Sequence, residues 1–314
     1  MLKPSVYLLL SAALLTTACQ PKEAVNQASA PAASAATPSA APTAAAASAP
    51  APFTTPKPDD LLAQFNWYRA RAEHDLAGAT PAQADALSVQ FRADIDELLK
   101  PLARREQKVL DNYYDYWTYD EKTDTHHPKP EIEKRVAKLA AADLEYWYVG
   151  EGMAEVRPQA DYYWKLFGKH VSPDYADFLR IEAEQNKTLV FNDAAIVISW
   201  AQLGKYVMDW EGFLQRHAKS KLATRARCLY GNYASAYLLG ANNTPVRDYD
   251  TKVLQPEVKA EWQRLRQQHP ESPVAKLTLQ AEAMEKEDEA SVAKLLAPLN
   301  LPDASVCNLA AVGI

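Results

Sequence analysis

Apolar residues recur at helical spacing through most of the chain beyond residue 58. Leu87, Phe91, Ile95, Leu98, Leu102, Val109, Tyr113 and Trp117 follow one another at intervals of three, four or seven, which places them on one face of a long helix. Thr80 and Pro81 open the run as an N-cap and a first helical proline. Pro101 lies inside it, so a kink or a restart is expected there. Lys122 to Pro130, with His126 and His127, reads as a loop. A second helix is expected from about Glu131 to Val149, with Val136, Leu139, Ala140 and Leu144 inward and Gly150 and Gly152 as its stop. Asp193 to Met208 is apolar nearly all round, which predicts a central buried helix. Ser199, Gln202 and Lys205 interrupt it too often for a bilayer span. No alternating stretch of strand length stands out. The fold class expected is all-α, with an N-terminal helical region over 59–150 and a second over 151–314.

One segment repeats. Trp210, Gln215, His217, Ser220 and Ala223 recur as Trp262, Gln267, His269, Ser272 and Ala275 at a constant offset. Trp164, Phe167, His170, Ser172 and Ala176 form a looser third copy. The physical reading is a helix ending near the His, a turn built by Pro or Ser, and a new helix capped by Ser. This pattern resembles the helix junctions of tetratricopeptide-like repeats over about residues 205–290. The resemblance implies stacked helical hairpins, as a tetratricopeptide-like α-solenoid or an irregular helical bundle. Such junctions are frequent in envelope lipoproteins that assemble other envelope parts.

The N-terminus has a different character. Lys3, an apolar run from Val6 to Leu15, and the small residues Thr16, Thr17 and Ala18 make an export signal over 1–18. Cys19 follows directly. Leu15-Thr16-Thr17-Ala18-Cys19 resembles the lipobox of bacterial lipoproteins, with Thr16 where an aliphatic residue is usual. The resemblance implies cleavage before Cys19 and acylation of Cys19. Two or three acyl chains anchor stably, each buried CH₂ contributing about 0.8 kcal/mol. Gln20 stands where Asp would imply inner-membrane retention, so the resemblance implies an outer-membrane anchor, with the domain in the periplasm or at the cell surface. Residues 20–58 are nearly all Ala, Ser, Pro and Thr. That composition builds no packed core, so 19–58 is expected to be a lipidated, disordered tether. Fully polyproline-like it would reach about 120 Å, and as a flexible coil about 35 Å.

Composition then narrows the function classes. The 314 residues carry 34 basic and 40 acidic side chains. Only Lys3, Lys22, Lys57 and Glu23 of these lie in the first 58, so the remainder is the more acidic part. An acidic domain without a basic block is a poor match for nucleic acid. Nine glycines in the whole chain suit helices better than a many-stranded β protein. Cys228 and Cys307 are the two thiols left once Cys19 is acylated, and in an oxidising compartment they are candidates for one bridge. It would contribute up to about 4.5 kcal/mol by the chain-entropy model. Two separate buried thiols are the alternative.

Candidate chemistry is sparse. His126 and His127 are adjacent, which seldom offers both rings to one ion, and no zinc spacing is present, so no metal and no cofactor is expected. His217 and His269 sit at helix ends, where a cation is favoured without any catalytic role. No nucleophile elbow, Ser-x-x-Lys pair or phosphate-cradling glycine loop occurs, so no catalytic residue is assigned. Aromatics are the richer signal. Tyr113, Tyr114, Tyr116, Trp117 and Tyr119 fall within seven residues, and Tyr146-Trp147-Tyr148 and Tyr162-Tyr163-Trp164 add six more. One helix face buries only some of them. Tyr114, Tyr119, Trp147 and Tyr163 are therefore candidates for a binding surface for a protein, a peptide or a glycan strand; packing between neighbouring helices is the competing account. The function expected is non-enzymatic: an outer-membrane-anchored lipoprotein whose helical domain is an adaptor for an envelope protein or peptidoglycan. The alternatives are a periplasmic cell-wall-active enzyme and a surface lipoprotein that meets host molecules.

Overall fold

A computed structural model of the chain describes residues 51–123, 125–284, 288–303 and 305–307. The export signal, Cys19 and tether residues 20–50 lie outside the described residues. The last eight positions assigned to the tether lie along the first helix, α1 (Leu61–Leu76). The Phe53 ring meets Trp67 at 5.7 Å and His74 at 5.5 Å, and Trp67 Nε1 donates to the Thr55 carbonyl at 2.8 Å. Phe53 is the one aromatic residue between 20 and 58, and its packing, half-buried against α1, fastens this end of the segment.

The described chain is mostly helical and has no closed sheet. Asp60 caps α1 by accepting the Ala63 N–H at 2.9 Å. Thr80 and Gln83 form a reciprocal cap that opens α2 (Pro81–Leu110). The helix runs unbroken through Pro101 for 30 residues, rather than restarting there. Ile95, Leu98 and Leu102 are buried on both sides of the proline, and that packing outweighs the lost backbone bond. The apolar stripe then leaves the helix. Tyr113 lies in a single turn, α3 (Tyr113–Tyr116), and Trp117 starts β1 (Trp117–Asp120). Its partner β2 (Thr125–Pro128) takes the place of the loop expected around His126, with Tyr119 opposite His126.

The expected helix Glu131–Val149 is also corrected. α4 (Pro130–Ala140) stops well short of Val149, and Asp143 has a positive φ of 55°. β3 (Leu144–Gly150) and β4 (Met153–Pro158) then pair antiparallel. The reason is compositional: Tyr-Trp-Tyr-Val are strand formers. Gly150 and Gly152, with φ of 106° and 80°, form the turn. The division expected at residue 150 therefore falls inside a hairpin.

α5 (Tyr162–Phe167), α6 (Pro173–Gln185), β5 (Phe191–Asn192) and β6 (Ala195–Ile196) follow. Asp193 and Ala194 both have positive φ, as a two-residue hairpin turn requires. The central helix therefore begins later than expected, as α7 (Trp200–Arg216), with Ser199 accepting the Gln202 N–H. α8 (Ala223–Leu239), β7 (Gly240–Ala241), β8 (Thr244–Pro245), α9 (Pro256–Gln268), α10 (Pro273–Ala283), α11 (Glu289–Leu296) and a 3₁₀ turn at Ala297–Leu299 complete the described chain.

The repeated segment makes the same corner twice. The His217 N–H bonds the Phe213 carbonyl and the His269 N–H bonds the Leu265 carbonyl, each at 2.8 Å. Ser220 and Ser272 then return N–H bonds to those His carbonyls at 2.9 and 3.0 Å. Trp210 and Trp262 are 1% and 0% exposed beneath the two corners. α7 packs on α9 and α8 on α10, so two helical hairpins lie side by side. Between α5 and α6 the corner is tighter: the His170 N–H bonds the Phe167 carbonyl, three residues back rather than four, at 2.8 Å.

Two large apolar cores result. One extends from Phe65 to Leu179 and the other from Phe178 to Leu299, so the cores divide at α6, and Leu222 packs against both. A small third core gathers Val109, Tyr113, Trp117 and Ile132. Four glutamates among the described residues are buried, and each receives donors as buried charge requires. Glu106 accepts from Tyr146 and Arg135, Glu182 from Arg92 and Arg225, Glu211 from Tyr230 and Ser272, and Glu261 from Tyr237 and Arg264. Cys228 and Cys307 are joined by a disulfide across a separation of 79 positions, which fastens the last described segment to α8.

Candidate functional site

The small third core continues outward into an aromatic groove. Tyr113 stacks on Trp117 with ring centroids 4.4 Å apart and planes within 7°, which anchors α3 beneath the surface. Tyr114, the next residue, points away from that core and is 54% exposed. Its hydroxyl shares a 2.6 Å hydrogen bond with that of Tyr148 on β3. Lys129 Nζ donates to the carbonyls of Tyr114 and Asp115 at 3.1 and 2.8 Å and holds the short turn in place.

The two hairpins supply the walls. His126 on β2 lies 4.7 Å from the Tyr148 ring and 5.1 Å from the Tyr119 ring. Neighbouring strand residues face opposite sides, so His127 turns away and meets Thr125 Oγ1 at 2.9 Å instead. Trp147 on β3 has one face covered by the Arg157 guanidinium at 3.4 Å. Arg157 also pairs with Glu145 at 3.0 Å. The segment from Lys187 to Val197 closes the far side with Leu189, Asn192 and Val197. The open volume is about 720 Å³.

The glycine turn brings these parts together. A Cβ on Gly152 would sit 3.0 Å from the Tyr114 ring, and one on Gly150 would sit 1.8 Å from Asn192 Oδ1. Both glycines also have positive φ. A side chain at either position would push Tyr114 or Asn192 out of the wall.

Electrostatics sets the state of the groove's phenols. Burial, then the neighbouring phenols of Tyr148 and Tyr114, raises the Tyr113 hydroxyl far above the ordinary tyrosine value. The hydrogen bond to Tyr148, with some burial, raises Tyr114. Both are neutral donors at neutral pH. Glu145 is the one carboxylate among the residues that line the groove, and it is tied to Arg157. No group of three His, Cys, Asp or Glu side chains with metal-ligand geometry occurs among the described residues. What the groove offers is ring faces, phenol hydroxyls, an imidazole and an amide, a composition suited to binding.

Three of the four candidate aromatics, Tyr114, Tyr119 and Trp147, line this one groove. Tyr163 does not. It lies in a smaller pocket between α2, α5, α6 and α8, with the Arg92 guanidinium 3.9 Å over its ring. The sequence reading missed Tyr148, His126, Asn192 and Val197 as wall residues. Tyr146 and Tyr148 alternate with Glu145 and Trp147 ahead of a Gly-x-Gly turn, and that alternation was the available signal. The other wall comes from a two-residue hairpin, which leaves no periodic trace. No family model matches this chain, and no curated protein or solved structure matches it.

Proposed function

We propose that this protein is a lipid-anchored adaptor of the bacterial outer membrane, held by acylated Cys19, whose helical domain binds an envelope protein or the cell wall through the aromatic groove. The observation that carries the reading is the gathering of Tyr114, Tyr119, Trp147, Tyr148 and His126 around one open groove. Exposed Tyr and Trp with polar tips are the side chains that contribute most at binding surfaces. The hairpins α7–α8 and α9–α10, joined by matching corners, support a tetratricopeptide-like stack as the scaffold. The Cys228–Cys307 disulfide suits an exported protein. The tether places the domain clear of the lipid surface.

In-cell crosslinking of the native lipoprotein, followed by affinity purification and mass spectrometry, tests the proposal. A single envelope partner, or co-sedimentation with purified cell wall, is expected. Recovery in neither fraction, together with release of reducing sugar or peptide from cell wall, would move the assignment to the enzyme alternative. A Cys19→Ala variant tests the anchor. It should leave the membrane fraction, whereas unchanged membrane association would contradict lipidation at Cys19.

A further inference from the structure

The pocket that holds Tyr163 is a separate site with its own chemistry. Ser88, Arg92 and Asp96 recur every fourth residue along one face of α2. Phe167, Phe178 and Leu179, all buried, form an apolar floor. Arg92 Nη2 and Arg225 Nη2 each donate to a different oxygen of Glu182 at 2.7 Å. One carboxylate thus meets two guanidinium groups, and the trio keeps a positive charge in excess. Side-chain exposures of 16%, 14% and 9% for Arg92, Arg225 and Glu182 leave little water to offset it. Arg225 Nε is buried and has no hydrogen-bond partner, a costly vacancy for a guanidinium donor.

Asp96 carries the opposite charge on the same wall. It stands one helical turn beyond Arg92, yet it makes no hydrogen bond or close ion pair among the described residues, because Arg92 is turned to Glu182 and to the Tyr163 ring. Burial raises its carboxyl above the ordinary aspartate value against the pull of Arg92 and Arg225. The Tyr163 hydroxyl is likewise without a hydrogen bond among the described residues. The pocket therefore presents guanidinium groups, a carboxylate on the same wall and an apolar floor. At about 250 Å³ it is smaller than the roughly 300–1,000 Å³ of pockets for drug-sized ligands.

We infer that this pocket binds a small zwitterion of the α-amino acid type, its carboxylate on Arg225 and Arg92, its ammonium on Asp96, and its side chain on Phe167 and Phe178. Charge accounts for both ends at once: a bare carboxylate would meet Asp96, and a bare amine would meet the arginines. The inference stands apart from the aromatic groove and does not depend on it.

Calorimetric titration of the purified mature chain tests it. The probes are both enantiomers of alanine and leucine, with 4-methylpentanoate and 3-methylbutylamine as single-charge analogues. N-acetylleucine and leucinamide stand in for the two ends of a peptide. At least one free amino acid should bind, with each single-charge or blocked analogue weaker by about tenfold or more, the worth of one charge-assisted hydrogen bond. Asp96→Asn is nearly isosteric and leaves the Arg92–Glu182–Arg225 trio intact. It should reduce amino-acid affinity about as much, and leave 4-methylpentanoate binding no weaker. No binding of any free amino acid at millimolar concentration, equal binding of N-acetylleucine or leucinamide, or an unaffected Asp96→Asn variant would each overturn the inference.

Discussion

Ser272 Oγ donates a 2.8 Å hydrogen bond to Glu211 Oε2, so the cap of one helical hairpin closes a buried carboxylate of the preceding one. The same hydroxyl oxygen accepts the Ala275 N–H at 3.2 Å and starts α10. Ser272→Ala removes both and leaves Glu211 with Tyr230 as a donor. The expected loss is about 1–3 kcal/mol, a lost cap plus a weakened buried charge. Urea unfolding reads it as a lower midpoint at unchanged slope. Ser220→Ala, at the equivalent corner of the first hairpin, should cost less, because Ser220 is half-buried, accepts the Leu222 N–H, and bonds the carboxylate of Asp174, which is more open to water than Glu211.

The disulfide makes a redox prediction. Reduction, or the pair Cys228→Ala with Cys307→Ala, should lower stability by up to about 4.5 kcal/mol for a loop of this length. Thermal melts with and without reductant check it. Thiol counting should find neither Cys228 nor Cys307 free in the native protein; two free thiols there would contradict the bridge.

Asp177 ties α6 to the end of α7. It accepts from Arg216 and Arg180 at 2.7 Å, and His217 lies 3.3 Å away. Burial alone would raise its carboxyl, but the arginine hydrogen bonds outweigh burial and hold it below the ordinary 3.8. A carboxyl depressed on folding contributes stability that is present above the unfolded value and lost as pH falls through the folded one. The stability difference between wild type and Asp177→Asn should therefore be largest above pH 3.8 and shrink at lower pH. A difference that grows on acidification would contradict this sign.

Gly152→Ala tests how the groove is built. The added Cβ meets the Tyr114 ring at 3.0 Å on a backbone with positive φ. Tyr114 should swing out and lose Tyr148, which a tyrosine ring chemical-shift change reports. Stability should fall by about 1 kcal/mol or more. An unshifted Tyr114 would mean the turn does not set its position.

Much of the helical part was legible because periodicity is a local signal. Thr80-Pro81 marked the start of α2, and the repeated Trp, His, Ser and Ala marked two corners that fold alike. Strands were less legible. Tyr146-Trp147-Tyr148 lay in register with a helical stripe running from Leu139, and only Asp143 in a left-handed conformation breaks that stripe. Pro101 misled in the other direction, since packing on both sides carries the helix through it. For the site, exposure of Tyr114 and Tyr119 followed from counting aromatics against one helix face. Placing Tyr163 in another pocket required tertiary structure, because α5 and α2 meet only in the fold.

The central claim is that the aromatic groove is a binding surface. Site-specific photo-crosslinking in cells tests it most directly, with the crosslinking residue at Tyr119 in the groove and, as control, at Glu271 on the exposed α9–α10 corner. The account predicts one discrete envelope adduct from Tyr119, none from Glu271, and loss of the adduct when Trp147 and Tyr114 are both changed to Ala. Equal labelling from both positions, or an adduct from Glu271 alone, would contradict it.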